Sequence, residues 1–286
     1  MADGHACVSG GARAGRERVV SAVAALADEI VRLPRGRTQT VFRGGDGPPL
    51  VFLHAGGGLD PADPLLAELA GSHSIYAPVA PGFADLADLE EIRDVHELAL
   101  HYDDVLGALG LDAVPVIGHS FGGMTAAELA AHVPPRVSKL VLIAPVGLWN
   151  DDYQVADVFA TLPRDLPALL FADTSHPAAQ AMLGGEGEEP DIEALVQLVS
   201  GLTTLAKFMF PIPDRGLSRR LYRITAPTLV LWGEQDRFID PCYAAIFKEK
   251  VRDASVRLIP DAGHLVGLER PAPYADAVLA WGRGER

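Results

Sequence analysis

Three polar residues, far apart in the chain, have the types and the order that nucleophilic catalysis needs. Ser120 lies in Gly118-His119-Ser120-Phe121-Gly122, the G-x-S-x-G pattern that holds a nucleophilic serine on a sharp turn between a strand and a helix. A hydroxyl is a weak nucleophile at neutral pH, so it needs a base, and the base needs an acid to hold its tautomer. His264 ends Asp261-Ala262-Gly263-His264, directly after the strand-like run Ser255–Pro260. Asp236 ends Gly233-Glu234-Gln235-Asp236, directly after the apolar run Thr228–Trp232. The chain order Ser120, Asp236, His264 agrees with the serine–acid–histidine order of one hydrolase fold and differs from the two common protease orders. Glu234, Asp240, Asp261, Asp151 and Asp152 compete for the acid's role; Asp236 is preferred because it stands immediately past its strand.

Acyl chemistry also requires donors for a developing oxyanion. The backbone N–H of Phe121, the residue after the serine, is one by geometry, and a second is expected in the loop Leu53-His54-Ala55-Gly56-Gly57-Gly58. Glycines there let backbone amides approach a ligand, with Gly56 the first choice and Gly57 the second. A phosphate-binding loop is excluded, because no Gly-Lys-Ser/Thr ending follows. His54, Gly57, His119, Trp149 and Phe159 are the candidates for contact with substrate. Phe171, Phe208 and Met209 could join them, although these aromatic and apolar residues equally suit an ordinary core.

Such residues can only converge if strands carry them to one edge. From Thr38 onward short β-rich runs alternate with helical segments, which predicts a mostly parallel sheet covered on both faces. Predicted strands are Thr38–Arg43, Leu50–His54, Ser74–Val79, Val114–Gly118, Lys139–Ala144, Thr228–Trp232 and Ser255–Pro260. The first two flank Gly44-Gly45-Asp46-Gly47-Pro48-Pro49, which reads as a hairpin connection. Helices are expected at Asp94–Leu109, from Phe121 to about Ala131, and at Tyr243–Val251. The strand rhythm stops between Pro145 and Arg223, where residues 153–171 and 190–209 read as helix or loop around a glycine- and glutamate-rich stretch, Gly184–Glu189, expected to be a mobile surface loop. Residues 1–15 read as a disordered tail, and residues 16–36 as an N-terminal helix with Val19, Val20, Val23, Leu26, Ala27, Ile30 and Val31 on one stripe. That stripe needs a cover, either the body of the protein or a second copy.

The chain has 286 residues, 49% hydrophobic and 22% charged, enough to bury a sizeable core. Its formal net charge of −14 sets it against phosphate backbones and anionic lipid surfaces, so neither nucleic acid nor membrane is expected as a partner. Cys7 and Cys242 suit neither a disulfide framework nor a thiolate metal site. The N-terminus lacks the apolar segment of a secretory signal, and no run is long enough to span a bilayer, so a cytoplasmic location is expected.

Together these segments resemble the α/β-hydrolase fold with a helical cap. The resemblance covers roughly residues 37–286 and rests on Leu53-His54-Ala55-Gly56-Gly57, Pro81-Gly82-Phe83, Gly118–Gly123, Leu231–Asp236 and Gly263-His264. It implies a core of residues 37–145 and 224–286, a helical cap at 146–223 inserted after the sixth strand, no metal and no organic cofactor. It also implies that Ser120 attacks an acyl carbon, His264 relays protons and Asp236 orients the imidazole. Ser120 stands where epoxide hydrolases and haloalkane dehalogenases of this fold carry aspartate. His119 and Leu265 replace the Asn and Trp typical of carbon–carbon bond hydrolases, and Ala55 replaces a usual glycine. The reaction expected is ester hydrolysis of a small, largely apolar molecule. The alternatives are cleavage of a carbon–carbon bond in a β-diketone-like substrate and a slow-turnover ligand receptor.

Overall fold

A computed structural model describes residues 26–153, 155–183 and 192–285. The predicted tail, most of the predicted N-terminal helix and the Gly184–Glu189 loop lie outside the described residues. The strands are β1 (Ala27–Arg32), β2 (Thr38–Gly44), β3 (Pro49–Leu53), β4 (Ser74–Pro78), β5 (Val114–His119), β6 (Val137–Ile143), β7 (Thr228–Gly233) and β8 (Ala254–Ile259). The helices are α1 (Pro64–Ala70), α2 (Val95–Ala108), α3 (Phe121–His132), α4 (Leu166–Leu170), α5 (Pro177–Leu183), α6 (Ile192–Met209), α7 (Tyr243–Lys250), α8 (Val266–Glu269) and α9 (Pro271–Gly282).

One sheet runs β1-β2-β4-β3-β5-β6-β7-β8, antiparallel at β1–β2 and β2–β4 and parallel from β4 to β8. Central strands such as β7, Thr-Leu-Val-Leu-Trp-Gly, are buried at every position, as parallel strands covered on both faces must be. One face packs under α2, α3 and α7, with Tyr102, Phe121 and Phe247 in its core. The other packs under α1, α8 and α9, around Leu66, Leu69, Tyr274 and Trp281. Helix α2 shows how local sequence serves this packing. Asp94 caps it by accepting from the N–H groups of His96 and Glu97, and Val95, Leu98, Ala99, Tyr102, Val105 and Leu106 recur on its buried face.

Two local expectations are corrected. The predicted N-terminal helix does not extend through residues 27–32, which form β1, paired with β2 from Ala27↔Arg43 to Arg32↔Thr38. Without β1 the outer N–H and C=O groups of β2 would be an open edge, and that ladder outweighs the weak helical stripe. Ile30, a member of the stripe, is exposed. Residues 34–36 form a short 3-10 turn. The second correction concerns Gly44–Pro49, which does not close a hairpin. β4 stands between β2 and β3, and β3 pairs in parallel with β4 and β5. β3 is buried on both faces, so it takes a central place, whereas β2 alternates and suits the antiparallel margin.

Between β6 and β7 the described insertion contributes α4, α5 and α6. Helix α6 meets the core where backbone meets backbone: a Cβ on Gly201 would stand 2.8 Å from the carbonyl oxygen of Gly56. Thr204, one turn on, is fully buried and its hydroxyl has no hydrogen-bond partner among the described residues. Thr204→Val keeps the shape and removes the unmet polar group, so stability should be unchanged or raised by up to about 1 kcal/mol. A urea midpoint that falls for this variant would show that the hydroxyl does have a partner. No helix of the described residues is long and apolar enough to cross a membrane.

Candidate active site

The loops after β5, β7 and β8 leave the same edge of the sheet, and each carries one of the predicted residues. Ser120 is held between β5 and α3, its N–H donating to the carbonyl of Ile143 at 2.8 Å. Its backbone adopts φ 53°, ψ −111°, a conformation that costs a non-glycine residue about 1–3 kcal/mol. The glycines around it make the turn fit. A Cβ on Gly118 would overlap the carbonyl of Gly122, and one on Gly122 would overlap the carbonyl of Leu53. Gly122→Ala therefore forces backbone apart rather than a side chain, and should cost about 3 kcal/mol or more. Thermal unfolding of the purified variant tests this; an unchanged Tm would mean that α3 and β3 are not locked together there.

His264 bridges the other two groups. Its Nε2 lies 2.8 Å from Ser120 Oγ and its Nδ1 2.8 Å from Asp236 Oδ2. All three residues are buried. Asp236 is itself fully engaged: Oδ1 accepts from the N–H groups of Phe238 and Ile239, each at 2.9 Å, and Oδ2 also accepts from Trp232 Nε1 at 3.0 Å. The two loops are joined along their backbones, Gln235 N–H donating to Ala262 O at 2.9 Å. The buried carboxylate of Glu269 ties the histidine loop to the insertion, accepting from Gly263 N–H at 2.6 Å, Ala172 N–H at 2.9 Å and Asp173 N–H at 3.1 Å. The competing acids are occupied or remote. Asp240 caps Cys242, Asp261 pairs with Arg270, Asp151 accepts from Trp149, and Glu234 and Asp152 are exposed.

The Phe121 N–H opens α3, where the first-turn donors have no partner within the helix. Gly56 lies in the β3 loop beneath α6, where a Cβ would stand 2.7 Å from Leu205 Cδ1. Gly57 has open space where a side chain would be, and borders a cavity of about 250 Å3 together with His119, Leu265 and Tyr274.

The remaining predicted contact residues divide. His54 borders the same cavity but has no ring nitrogen free for a ligand: Nδ1–H donates to Ala55 O at 2.7 Å and Nε2 accepts from Ala80 N–H at 2.8 Å. It braces the β3 loop against the loop after β4. His119 Nε2–H donates to the backbone carbonyl of His264 at 3.0 Å, so it supports the base from behind. Trp149 is not brought to the group; it donates to Asp151 and lines a separate surface depression with Ile246, Glu249 and Lys250. Phe159 is half-buried in the insertion, its ring 5.9 Å from that of Phe210. Other rings stand nearer. Phe238 meets the His264 ring edge-on at 4.8 Å, Phe208 lies 5.8 Å from Phe121, and Phe83 lies 6.3 Å from Phe121. Sequence reasoning missed Trp232, Phe238 and Glu269 as supports; only the closeness of Trp232 and Phe238 to Asp236 in the chain could have marked them.

Burial also sets the charge of the histidines around the site. It holds the imidazole of His54 down to about 4 against an ordinary 6.5, and that of His119, with His264 adjoining, down to about 3. His101, buried beside Arg37, is likewise held to about 4. All three are neutral when folded and protonate more easily when unfolded. Their stabilisation is therefore complete above pH 6.5 and is lost as pH falls from there towards 4, at up to about 1.4 kcal/mol per pH unit for each. Urea unfolding at pH 7 and pH 5 should show a loss of about 2 kcal/mol or more; a flat profile would mean that these rings take up protons in the folded state.

Residues 50–277 match the alpha/beta hydrolase family. The chain belongs to that family. It is 29% identical to the dihydrolipoyllysine-residue acetyltransferase component of the acetoin cleaving system of Cupriavidus necator, over 86% of this chain and 67% of that one. It is 27% identical to the 2-hydroxy-6-oxo-6-phenylhexa-2,4-dienoate hydrolase of Burkholderia cepacia, over 82% of this chain and 85% of that one. Among solved structures it is similar to a membrane phospholipase A described as a bacterial virulence factor, with TM-score 0.77, 24% identity and 94% and 89% of the two chains covered. Within this alpha/beta hydrolase, no group of three or more His, Cys, Asp or Glu among the described residues could hold a metal ion.

Proposed function

We propose that this alpha/beta hydrolase cleaves an ester of a small, largely uncharged molecule through an acyl-enzyme on Ser120. The observation that carries the reading is the continuous contact from Ser120 Oγ through His264 to Asp236, with 2.8 Å at each step. Ser120 Oγ attacks the carbonyl carbon while His264 Nε2 takes its proton, and Asp236 holds Nδ1–H and balances the imidazolium. The N–H groups of Phe121 and Gly56 receive the oxyanion, each contributing about 3 kcal/mol in the transition state. His264 then protonates the leaving alcohol, and water repeats the steps on the acyl-enzyme. Residues 146–223 serve as the cap, with Leu205 and Phe208 of α6 closing the site.

One feature favours an ester over the carbon–carbon substrate of the Burkholderia relative, whose name denotes a carboxylate. Among the described residues, the cavity beside the β3 loop is bordered by two acids, Asp60 and Asp63, and by no Lys or Arg. Its histidines, His54 and His119, are neutral at pH 7. A dienoate carboxylate would meet like charge and no partner there. The test is kcat/KM on neutral aryl acetates and butyrates set beside 2-hydroxy-6-oxo-6-phenylhexa-2,4-dienoate. The esters should be preferred at least a hundred-fold; the opposite preference would overturn the ester reading. Labelling by a fluorophosphonate without turnover of any ester would instead support a receptor.

A further inference from the structure

Glu128 is 1% exposed, and no step of the proposed reaction uses its carboxylate. It lies on α3 seven residues after Phe121, two turns along the helix that Ser120 caps. Arg220, at the end of the insertion, meets it as a fork: Nε–H donates to Oε2 at 2.9 Å and Nη2–H to Oε1 at 2.6 Å. His132 also faces this carboxylate, its Nδ1 3.5 Å from Oε2 and donating to the Glu128 backbone carbonyl at 2.8 Å. Apolar side chains in place of a buried ion pair often leave a protein equally stable or more so, so stability alone does not account for the pair. What the fork supplies, and an apolar contact does not, is a fixed orientation.

That orientation is passed on to α6. Arg220 Nη2–H also donates to the backbone carbonyl of Arg215 at 3.0 Å. Arg215 in turn donates from Nε to Phe208 O at 3.2 Å and from Nη2 to Phe210 O. These carbonyls stand at the C-terminal end of α6, where a helix leaves its last acceptors unmet. The loop is shaped around this path: Gly216 has φ 92°, and a Cβ there would stand 2.8 Å from Arg220 Nη1. At its other face α6 overhangs the site, with Leu205 against Gly56 and the Phe208 ring 5.8 Å from that of Phe121. We propose that Glu128, Arg220 and Arg215 are positioning residues for substrate binding. They form a strap from α3 to the end of α6 that fixes the spacing between Leu205, Phe208 and the Ser120 turn, and with it the fit of the acyl group. The inference rests on the reading of α6 as the helix that closes the site.

Two full-length variants cut the strap at different links. Glu128→Leu/Arg220→Met replaces the buried pair without leaving either charge alone. Arg215→Gln removes only the last link, from an exposed residue, and keeps the fold testable if the double variant does not purify. On aryl butyrates, KM should rise about fivefold or more in both, with kcat within about twofold of wild type. A pair that merely held the fold would act through the folded fraction, lowering kcat and leaving KM in place. An unchanged KM in Arg215→Gln, or a fall in kcat at constant KM in either folded variant, would overturn the proposal. If the wild type turns over no ester, the ester reading fails by itself. The strap is then read from fluorophosphonate labelling of Ser120, where KI should rise at constant maximal rate and an unchanged KI would overturn it.

Discussion

Ser120→Ala should lower kcat on a good ester substrate about a million-fold and leave the fold intact. The hydroxyl's hydrogen bond is to His264 Nε2, and the turn is held by backbone contacts and by the glycines on either side, which the substitution does not touch. Alanine tolerates the strained φ no worse than serine, so Tm should move by only a few degrees. What remains is the rate supplied by the oxyanion donors and substrate binding, about a thousand-fold over water. His264→Ala should cost about as much, and the double variant no more than either alone, because the two side chains act as a unit. Single-turnover kinetics and fluorophosphonate labelling are the readouts. A Ser120→Ala protein retaining more than a few per cent of the wild-type rate would remove the acyl-enzyme mechanism.

Asp236→Asn should lower kcat about ten-thousand-fold, for a reason specific to the four donors that surround this carboxylate. With the amide nitrogen at the Oδ1 position, two backbone N–H groups, those of Phe238 and Ile239, face a donor instead of an acceptor. With it at the Oδ2 position, Trp232 Nε1–H keeps only the Ile239 carbonyl as acceptor, and His264 must present an unprotonated Nδ1. The imidazole proton then sits on Nε2, where it blocks proton transfer from Ser120. The first placement also leaves the buried N–H groups of Phe238 and Ile239 unmet, costing about 1–3 kcal/mol in stability. The kcat should recover as pH rises into the range where hydroxide can replace the base. A variant with wild-type kcat and Tm would assign the acid's role to another residue.

How much of this was legible beforehand depended on the range of the interaction. The central strands announced themselves because a parallel strand buried on both faces reads as a short apolar run, as Val114-Pro115-Val116-Ile117 and Thr228–Trp232 do. The glycines two positions either side of Ser120 were equally readable, since the turn admits nothing larger. The margin of the sheet was not. Residues 26–31 carry a pattern compatible with a helix, and only the open edge of β2 selects a strand for Ala27–Arg32. The Gly44–Pro49 turn carries ordinary hairpin residues, and only the insertion of β4 beside β2 rules a hairpin out.

From its sequence alone the protein was determined as an alternating α/β chain whose strand ends carry a serine, an acid and a histidine in a recognisable order. Those are properties of local residue type and spacing, and they need no knowledge of which side chains meet. The tertiary structure alone decided that His54 braces a loop, that Trp149 stands away from Ser120, and that Trp232, Phe238 and Glu269 hold the acid and the base in place. A hydrogen-bond partner is a fact about distance in space, and residues separated by dozens of positions acquire it only when the sheet brings their loops to one edge.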